Sequence, residues 1–301
     1  MPKPSSWLVN TLENTKKQLW DIFCESPLSN FGIGGTQFKN PVLYRLLIKI
    51  DDAIGDAENK FVLDVGCGCG VKSLLLALKG AKVNGFDVSP NAIYNCLENL
   101  KKIKKPVDAK FFVWDIQKGF PIERDENVDF ILCTQVIEHI PNYEKALNEM
   151  IHVLKPGGKI FITTPNKLTH EPKRGEKVFG EKLHHHYHSF SKDDLKKVVE
   201  RRRDIRIEEL STYNIKPPFT IAILLKILGY VDSFQRLTQK IDEKAGTGML
   251  ETLYVNITKP LVMVYNAFVY PSILDFYLKN EEKIEEDKKL TIYLILKKLA
   301  N

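Results

Sequence analysis

The chain has 301 residues, 44% hydrophobic and 27% charged, which is enough apolar material for a sizeable globular core. A net charge of +6 permits an anionic partner but does not make a nucleic-acid stripe, so no nucleic-acid partner is expected. Five cysteines without a Cys-x-x-Cys pair suggest neither a disulfide framework nor a zinc knuckle.

The opening MPKPSSWLVN lacks an apolar core of signal-peptide length, and no clean apolar run reaches about 18 residues. A reducing cytoplasm is the expected location. Trp7, Leu8, Leu12, Leu19, Trp20 and Phe23 have the spacing of an amphipathic helix. A Gly-rich polar loop follows at 29–41, and residues 42–54 are helical in pattern.

A regular alternation then begins. KFVLDV is a short continuous apolar run, the pattern of a strand buried on both faces. VKSLLLALKG reads as a helix stopped at Gly80. KVNGFDV, AKFFVWDI, VDFILCTQ and KIFITT read as four further strands. NAIYNCLENLKKI and NYEKALNEMIHVLKPGG read as the intervening helices, the latter capped by Asn142 and stopped at Gly157–Gly158. Strand–helix alternation at this spacing implies a parallel sheet with right-handed crossovers, which binds ligands beyond the carboxyl ends of its strands. Gly66–Gly70, Asp87, Asp115, Gln135 and Thr164–Asn166 fall on that edge.

Residues 167–190 form a long polar, basic loop containing Lys173, Arg174, Lys177, Lys182 and the run His184, His185, His186, Tyr187, His188. The lysines and Arg174 are either a solvated run or a hold on a substrate phosphate or carboxylate. SKDDLKKVVE is a helix with Ser191 as cap, Asp194 at the third helical position, and Phe190 and Leu195 as a staple. IRIEELSTY and LTIYLILKK are strands, the second closing the sheet.

The expected architecture is α/β: a Rossmann-like, seven-stranded, mostly parallel sheet with helices on both faces. An amino-terminal helical lid (1–50) and a helical insertion before the last strand (215–287) flank a core of 51–214 and 288–301. The insertion holds PPFTIAILLKILGYV and LVMVYNAFVYPSILDFYL, too short or too interrupted to span a bilayer. It is expected to cap the substrate site. A peripheral membrane contact through this greasy surface is the sharper alternative.

The glycine loop departs from the dinucleotide fingerprint G-x-G-x-x-G. Gly66 and Gly68 fit, but Val71 stands where the third glycine belongs. Asp64 before the loop would repel a pyrophosphate and suits a cationic, amine-bearing ligand. Asp87 is placed for ribose hydroxyls and Asp115 for an adenine amine.

VLDVGCGCG, GFDVSP, WDI, VDFILCTQVIEHI and LKPGGKIFITTPN, in this order over residues 60–166, resemble the successive motifs of the class I S-adenosylmethionine-dependent methyltransferases. The TTPN and H-x-F-S elements are similar to the subgroup of ubiquinone-biosynthesis O-methyltransferases and sugar and natural-product methyltransferases. The resemblance implies S-adenosylmethionine as methyl donor. It implies that Asp64, Gly66, Cys67, Gly68 and Gly70 hold its methionine part, Asp87 and Val88 its ribose, and Asp115 and Ile116 its adenine, with Gln135 beside it.

The expected reaction is O-methylation of a small-molecule hydroxyl, lipophilic or glycosidic. N- or C-methylation of a small molecule or lipid headgroup is the alternative. Methylation of tRNA or protein and a non-catalytic nucleoside-binding protein rank behind. No Asn/Asp-Pro-Pro-Tyr/Phe signature follows the fourth strand, where TQVIEH stands.

A neutral hydroxyl needs a general base, and imidazole is poised near neutral pH. His139 and His186 are the candidates, with His184 and His188 behind them. In an extended segment 184, 186 and 188 would share a face and could bind zinc, although no nearby Cys or obvious carboxylate completes such a site. In the quinone O-methyltransferases that the chain resembles, the stretch after the fourth strand reads Glu-x-x-Glu-His and has been linked to a metal. Here Gln135 replaces the first acid, so no metal is expected there.

Overall fold

The computed structural model describes residues 41–103, 105–120, 128–169, 177–178, 181–182, 186–213, 279–281 and 283–300. The helix expected at 7–25, most of the lid and the insertion, and Lys173, Arg174, His184 and His185 lie outside the described residues.

The chain divides into two compact units, Met1–Leu46 with Lys216–Lys283 and Leu47–Ile215 with Ile284–Asn301. Of the first unit, the described residues include an ion pair from Arg45 Nε to Glu281 Oε2 at 2.9 Å. Among the described residues no helix is long and apolar enough to cross a membrane.

The second unit contains the sheet. Its strands are β1 (Phe61–Val65), β2 (Lys82–Asp87), β3 (Ala109–Val113), β4 (Val128–Thr134), β5 (Leu154–Pro165), β6 (Ile205–Tyr213) and β7 (Thr291–Lys298). They lie in the order β3-β2-β1-β4-β5-β7-β6. The first five are mutually parallel, and β7 runs antiparallel to both neighbours. This is the mostly parallel, seven-stranded sheet that the sequence implies.

The chain moves outward from β1 to β3 and then returns to place β4 on the other side of β1. That reversal opens a crevice at the carboxyl ends of β1 and β4, the expected place for a ligand in an open α/β sheet.

The helices are α1 (Pro41–Ile54), α2 (Val71–Leu78), α3 (Pro90–Lys102), α4 (Tyr143–Val153) and α5 (Lys192–Glu200). Their starts follow local chemistry. Ser89 Oγ accepts from Ala92 N at 3.3 Å ahead of Pro90. Asn142 Oδ1 accepts from Lys145 N at 3.0 Å, and Ser191 and Asp194 form a reciprocal capping box.

One expected stop is wrong. Helix α4 ends at Val153, and Gly157–Gly158 lie within β5. The ladder jumps there from Val128↔Leu154 to Phe130↔Lys159, and Gly157 takes φ +80° to let the chain bulge. The polar 167–190 loop contains a two-residue ribbon, Lys177–Val178 against Glu181–Lys182, that has no signal in the sequence.

The core forms where the inner strands meet their helices. Leu63, Phe86, Ile131, Phe161, Ile162, Leu294 and Met150 are all fully buried. Lys49 Nζ reaches Tyr293 Oη at 2.8 Å, tying α1 to β7.

Candidate active site

The loop after β1 explains its own glycines. Gly66, Gly68 and Gly70 have φ of +65°, +57° and +80°, the left-handed region that side chains with a Cβ rarely adopt. Two of them are also closed off by packing. A Cβ on Gly66 would run into Val136, and one on Gly70 would meet Cys96 Sγ at 2.9 Å and Phe111 at 3.2 Å. A Cβ on Gly68 would meet nothing within 4 Å. The Cα face of Gly68 is therefore open, while its N–H and carbonyl are held by Asp87 and Cys96, and it forms a cradle into which a ligand could press.

Asp64 does not line that space. It is 0% exposed, and its Oδ2 accepts from Ser73 Oγ at 2.6 Å. Burial pushes its carboxyl above the ordinary range, against the pull of Lys72 and the Ser73 bond. Its role is to brace the loop against α2 from beneath.

Cys67 likewise faces inward. Its Sγ lies 3.9 Å from Cys96 Sγ, and its N–H donates to Phe86 O at 3.0 Å. The Cys96 bond and burial raise the Cys67 thiol well above its usual value, and burial raises Cys69 to about 11.

Asp87 ends β2 with one oxygen accepting from Gly68 N at 3.0 Å and the other from Ser89 N at 2.9 Å. A carboxylate has about four acceptor sites, so Asp87 can fix the glycine loop and still receive two hydroxyls. Beside it Val88 is 60% exposed, an unusual outlay of apolar surface at a strand end. Asp115 Oδ1 accepts from Gln117 N at 2.9 Å and caps the short 3₁₀ turn Ile116–Lys118, leaving its second oxygen for a ligand. Ile116 is buried.

Across the crevice, Gln135 follows β4 at φ +58°, a strained setting for a residue with a side chain. Its N–H donates to Thr163 O at 2.9 Å and its Nε2 to Thr163 Oγ1 at 3.3 Å. The amide is thus turned toward β5. Val136 packs on Gly66, so this stretch adjoins the glycine loop. The next turn, Ile137–His139, brings Glu138 and His139 together.

Glu138, the second acid of the Glu-x-x-Glu-His stretch, is given no role by the sequence reading. It is buried, its Oε2 makes no hydrogen bond among the described residues, and burial pushes its carboxyl up to about 7. Its backbone carbonyl accepts from both Tyr187 N at 2.9 Å and His188 N at 3.2 Å. This pins the far loop and sets His186 against His139, ring centroids 4.6 Å apart and nearly perpendicular. The two expected candidates, 47 residues apart, are therefore neighbours.

His188 is turned elsewhere. Its Nε2 donates to Pro141 O at 2.9 Å, and its ring stands on Tyr143. The shared face expected for 186 and 188 does not form, because the backbone bonds to Glu138 set adjacent rings on different neighbours. The match to Glu-x-x-Glu-His points to Glu138, but the replacement of the first acid by Gln135 turns the reading away from it.

Residues 56–203 match a family model described as a methyltransferase domain. With the sheet order and the motif series, those residues form a methyltransferase domain of the class I, S-adenosylmethionine-dependent kind. Among curated proteins it is 35% identical over 119 residues to the ubiquinone biosynthesis O-methyltransferase of Dechloromonas aromatica, covering 39% of this chain and 49% of that protein. It is 31% identical over 118 residues to that of Nitrosomonas europaea, with the same coverage. The chain thus spans about half the length of the curated relatives it matches.

Two solved structures share the fold. One is the [4+2]-cyclase SpnF, with TM-score 0.51 and 18% identity over 100% of this chain and 99% of that one. The other is Haemonchus contortus phosphoethanolamine N-methyltransferase 2 in complex with S-adenosyl-L-methionine, with TM-score 0.51 and 17% identity over 97% of this chain and 60% of that one. At such identity they speak to fold alone. The open Cα face of Gly68, the free capacity of Asp87 and the exposed Val88 fit the cofactor of such a domain.

Proposed function

We propose that the protein transfers the methyl group of S-adenosylmethionine to a hydroxyl oxygen of a small molecule. The observation that carries the reading is the paired His139 and His186 at the same strand edge as the Gly68 cradle, with Val136 packed between loop and turn.

When bound, the cofactor supplies a methyl group already activated on a sulfonium. The chain's own work is to bind, orient and move one proton. Asp87 would accept the ribose hydroxyls, Val88 and Ile116 would flank the purine, and the second oxygen of Asp115 would receive its amine. The Gly68 backbone would lie along the methionine part, with Asp64 bracing the loop from below. An imidazole nitrogen of the His139–His186 pair would take the acceptor's proton as the oxygen becomes the nucleophile. The similarity to ubiquinone O-methyltransferases supports oxygen as the acceptor atom.

A cap and a membrane-surface contact for residues 215–287 belong to the same proposal, supported by their apolar composition. Sedimentation with anionic vesicles tests the contact. The reaction is tested by incubating the protein with methyl-labelled S-adenosylmethionine and fractionated small-molecule extracts, then following label by mass spectrometry. Label on an ether oxygen is the expected result. Label on nitrogen or carbon alone would replace this reading.

A further inference from the structure

We propose that Cys67 and Cys96 form a reversible disulfide beneath the glycine loop and so make cofactor binding sensitive to oxidation. The two cysteines are 29 positions apart, one on the loop after β1 and one within α3. Their Sγ atoms lie 3.9 Å apart. Both are buried in one small cluster with Leu74, Ile93 and Phe111. A bond needs the sulfurs about 2.05 Å apart, so each moves by about 1 Å, a step that side-chain rotation covers.

A second set of contacts ties the pair to the ligand site. Cys96 Sγ donates to Gly68 O at 3.0 Å, and Cys67 Sγ lies 3.8 Å from the same oxygen. Gly68 is also the residue whose Cα face is open. Its backbone is thus a thin partition between the cradle and two thiols. Asn99, one turn further along α3, donates its Nδ2 to Cys69 O at 3.1 Å, so the helix holds the loop by two side chains. Closing the disulfide takes the thiol proton away from Gly68 O and leaves that carbonyl short of a donor. It also draws Cys96 away from Gly70, where a Cβ would meet its Sγ at 2.9 Å. The loop then shifts at the residue along which the methionine part of the cofactor would lie.

A hydroperoxide supplies the oxidising equivalents. One thiol becomes a sulfenic acid as the O–O bond breaks and water leaves. The second sulfur displaces the sulfenic oxygen as another water and forms the S–S bond. Two thiols and hydrogen peroxide thus become one disulfide and two waters. The Cys96 bond and burial hold the Cys67 thiol above its usual value, so the pair stays reduced while the loop is closed and reacts when it opens. Bound cofactor should slow the reaction. The inference rests on the Gly68 cradle as the cofactor site, but the disulfide itself is read without cofactor.

The test exposes the cofactor-free full chain to hydrogen peroxide and maps disulfides by mass spectrometry of the unreduced digest. Calorimetry measures affinity for the demethylated cofactor before and after. Expected is a linked pair of peptides carrying Cys67 and Cys96, two hydrogens lighter than the free pair. Affinity should fall by at least about 10-fold and return with dithiothreitol. A C24S/C69S variant should do the same. C96S keeps a donor for Gly68 O but cannot form the bond, so peroxide should leave its affinity unchanged. Saturating demethylated cofactor should slow linkage in the parent by at least about 10-fold.

Absence of the Cys67–Cys96 peptide overturns the inference. So does the bond formed with affinity unchanged, or an equal loss of affinity in peroxide-treated C96S. A reduced chain that does not bind the demethylated cofactor overturns the cofactor site and the switch with it.

Discussion

The two banks of the crevice are built on different principles. On the β1–β2–β3 side each functional feature comes from one short segment: three glycines in five residues, an acid at a strand end, an acid before a turn. On the β4–β5 side the key pair, His139 and His186, is 47 positions apart and is joined by backbone bonds to Glu138. A locally coded bank should fail through its backbone. An assembled bank should fail through single side chains while the fold survives.

The sharpest break of that contrast is on the assembled bank. Replacing His139 or His186 by Gln should lower turnover by about 10²–10⁴ while cofactor affinity stays within a few-fold. Parallel loss of affinity would mean that the banks are not separate.

On the local bank, Gly66→Ala demands both a strained φ and room that Val136 occupies, so it should cost about 2–5 kcal/mol of stability along with cofactor binding. Gly68→Ala, with the same sign of φ but open space, should lose about 1–2 kcal/mol of stability and a larger share of affinity. Equal melting losses for the two would remove the argument that Gly68 is kept bare for a ligand.

Asp87→Ala should weaken binding of the demethylated cofactor by about 1.5–3 kcal/mol, since it removes both a charged acceptor and the anchor of Gly68 N. Calorimetry reads this directly, and unchanged affinity would sink the ribose assignment. The smallest effect belongs to the entry of α5. Ser191→Ala should cost about 1 kcal/mol in melting and leave cofactor affinity alone.

The buried acid of the local bank adds a pH test. Asp64 is raised in the folded protein because burial disfavours its charge. The folded state therefore holds its proton more tightly than the unfolded chain. The associated stability is fully present below the ordinary carboxylate range and is lost as pH rises through the raised value. Relative to Asp64→Asn, the parent should lose melting temperature as pH climbs from the acid side. A constant gap between the two melting curves would contradict the burial account.

How much could be read in advance follows the same division. The sequence by itself determined the sheet, because strands buried on both faces must be continuous apolar runs and alternate with helices at crossover length. It determined the glycine loop and the caps at Asn142 and Ser191, whose chemistry acts over three or four residues. It failed at Gly157–Gly158, where a stop signal for a helix and a bulge in a strand use the same residue for the same positive φ.

Only the tertiary structure decided which glycine faces open space, that Asp64 and Cys67 turn inward, and that Asp115 spends one oxygen on its own turn. It alone brought His186 against His139 and showed Glu138 to be buried beside them. The reason is physical. Which side of a loop a residue presents depends on what the backbone on either side is bonded to, and those partners lie on strands and turns distant in the chain.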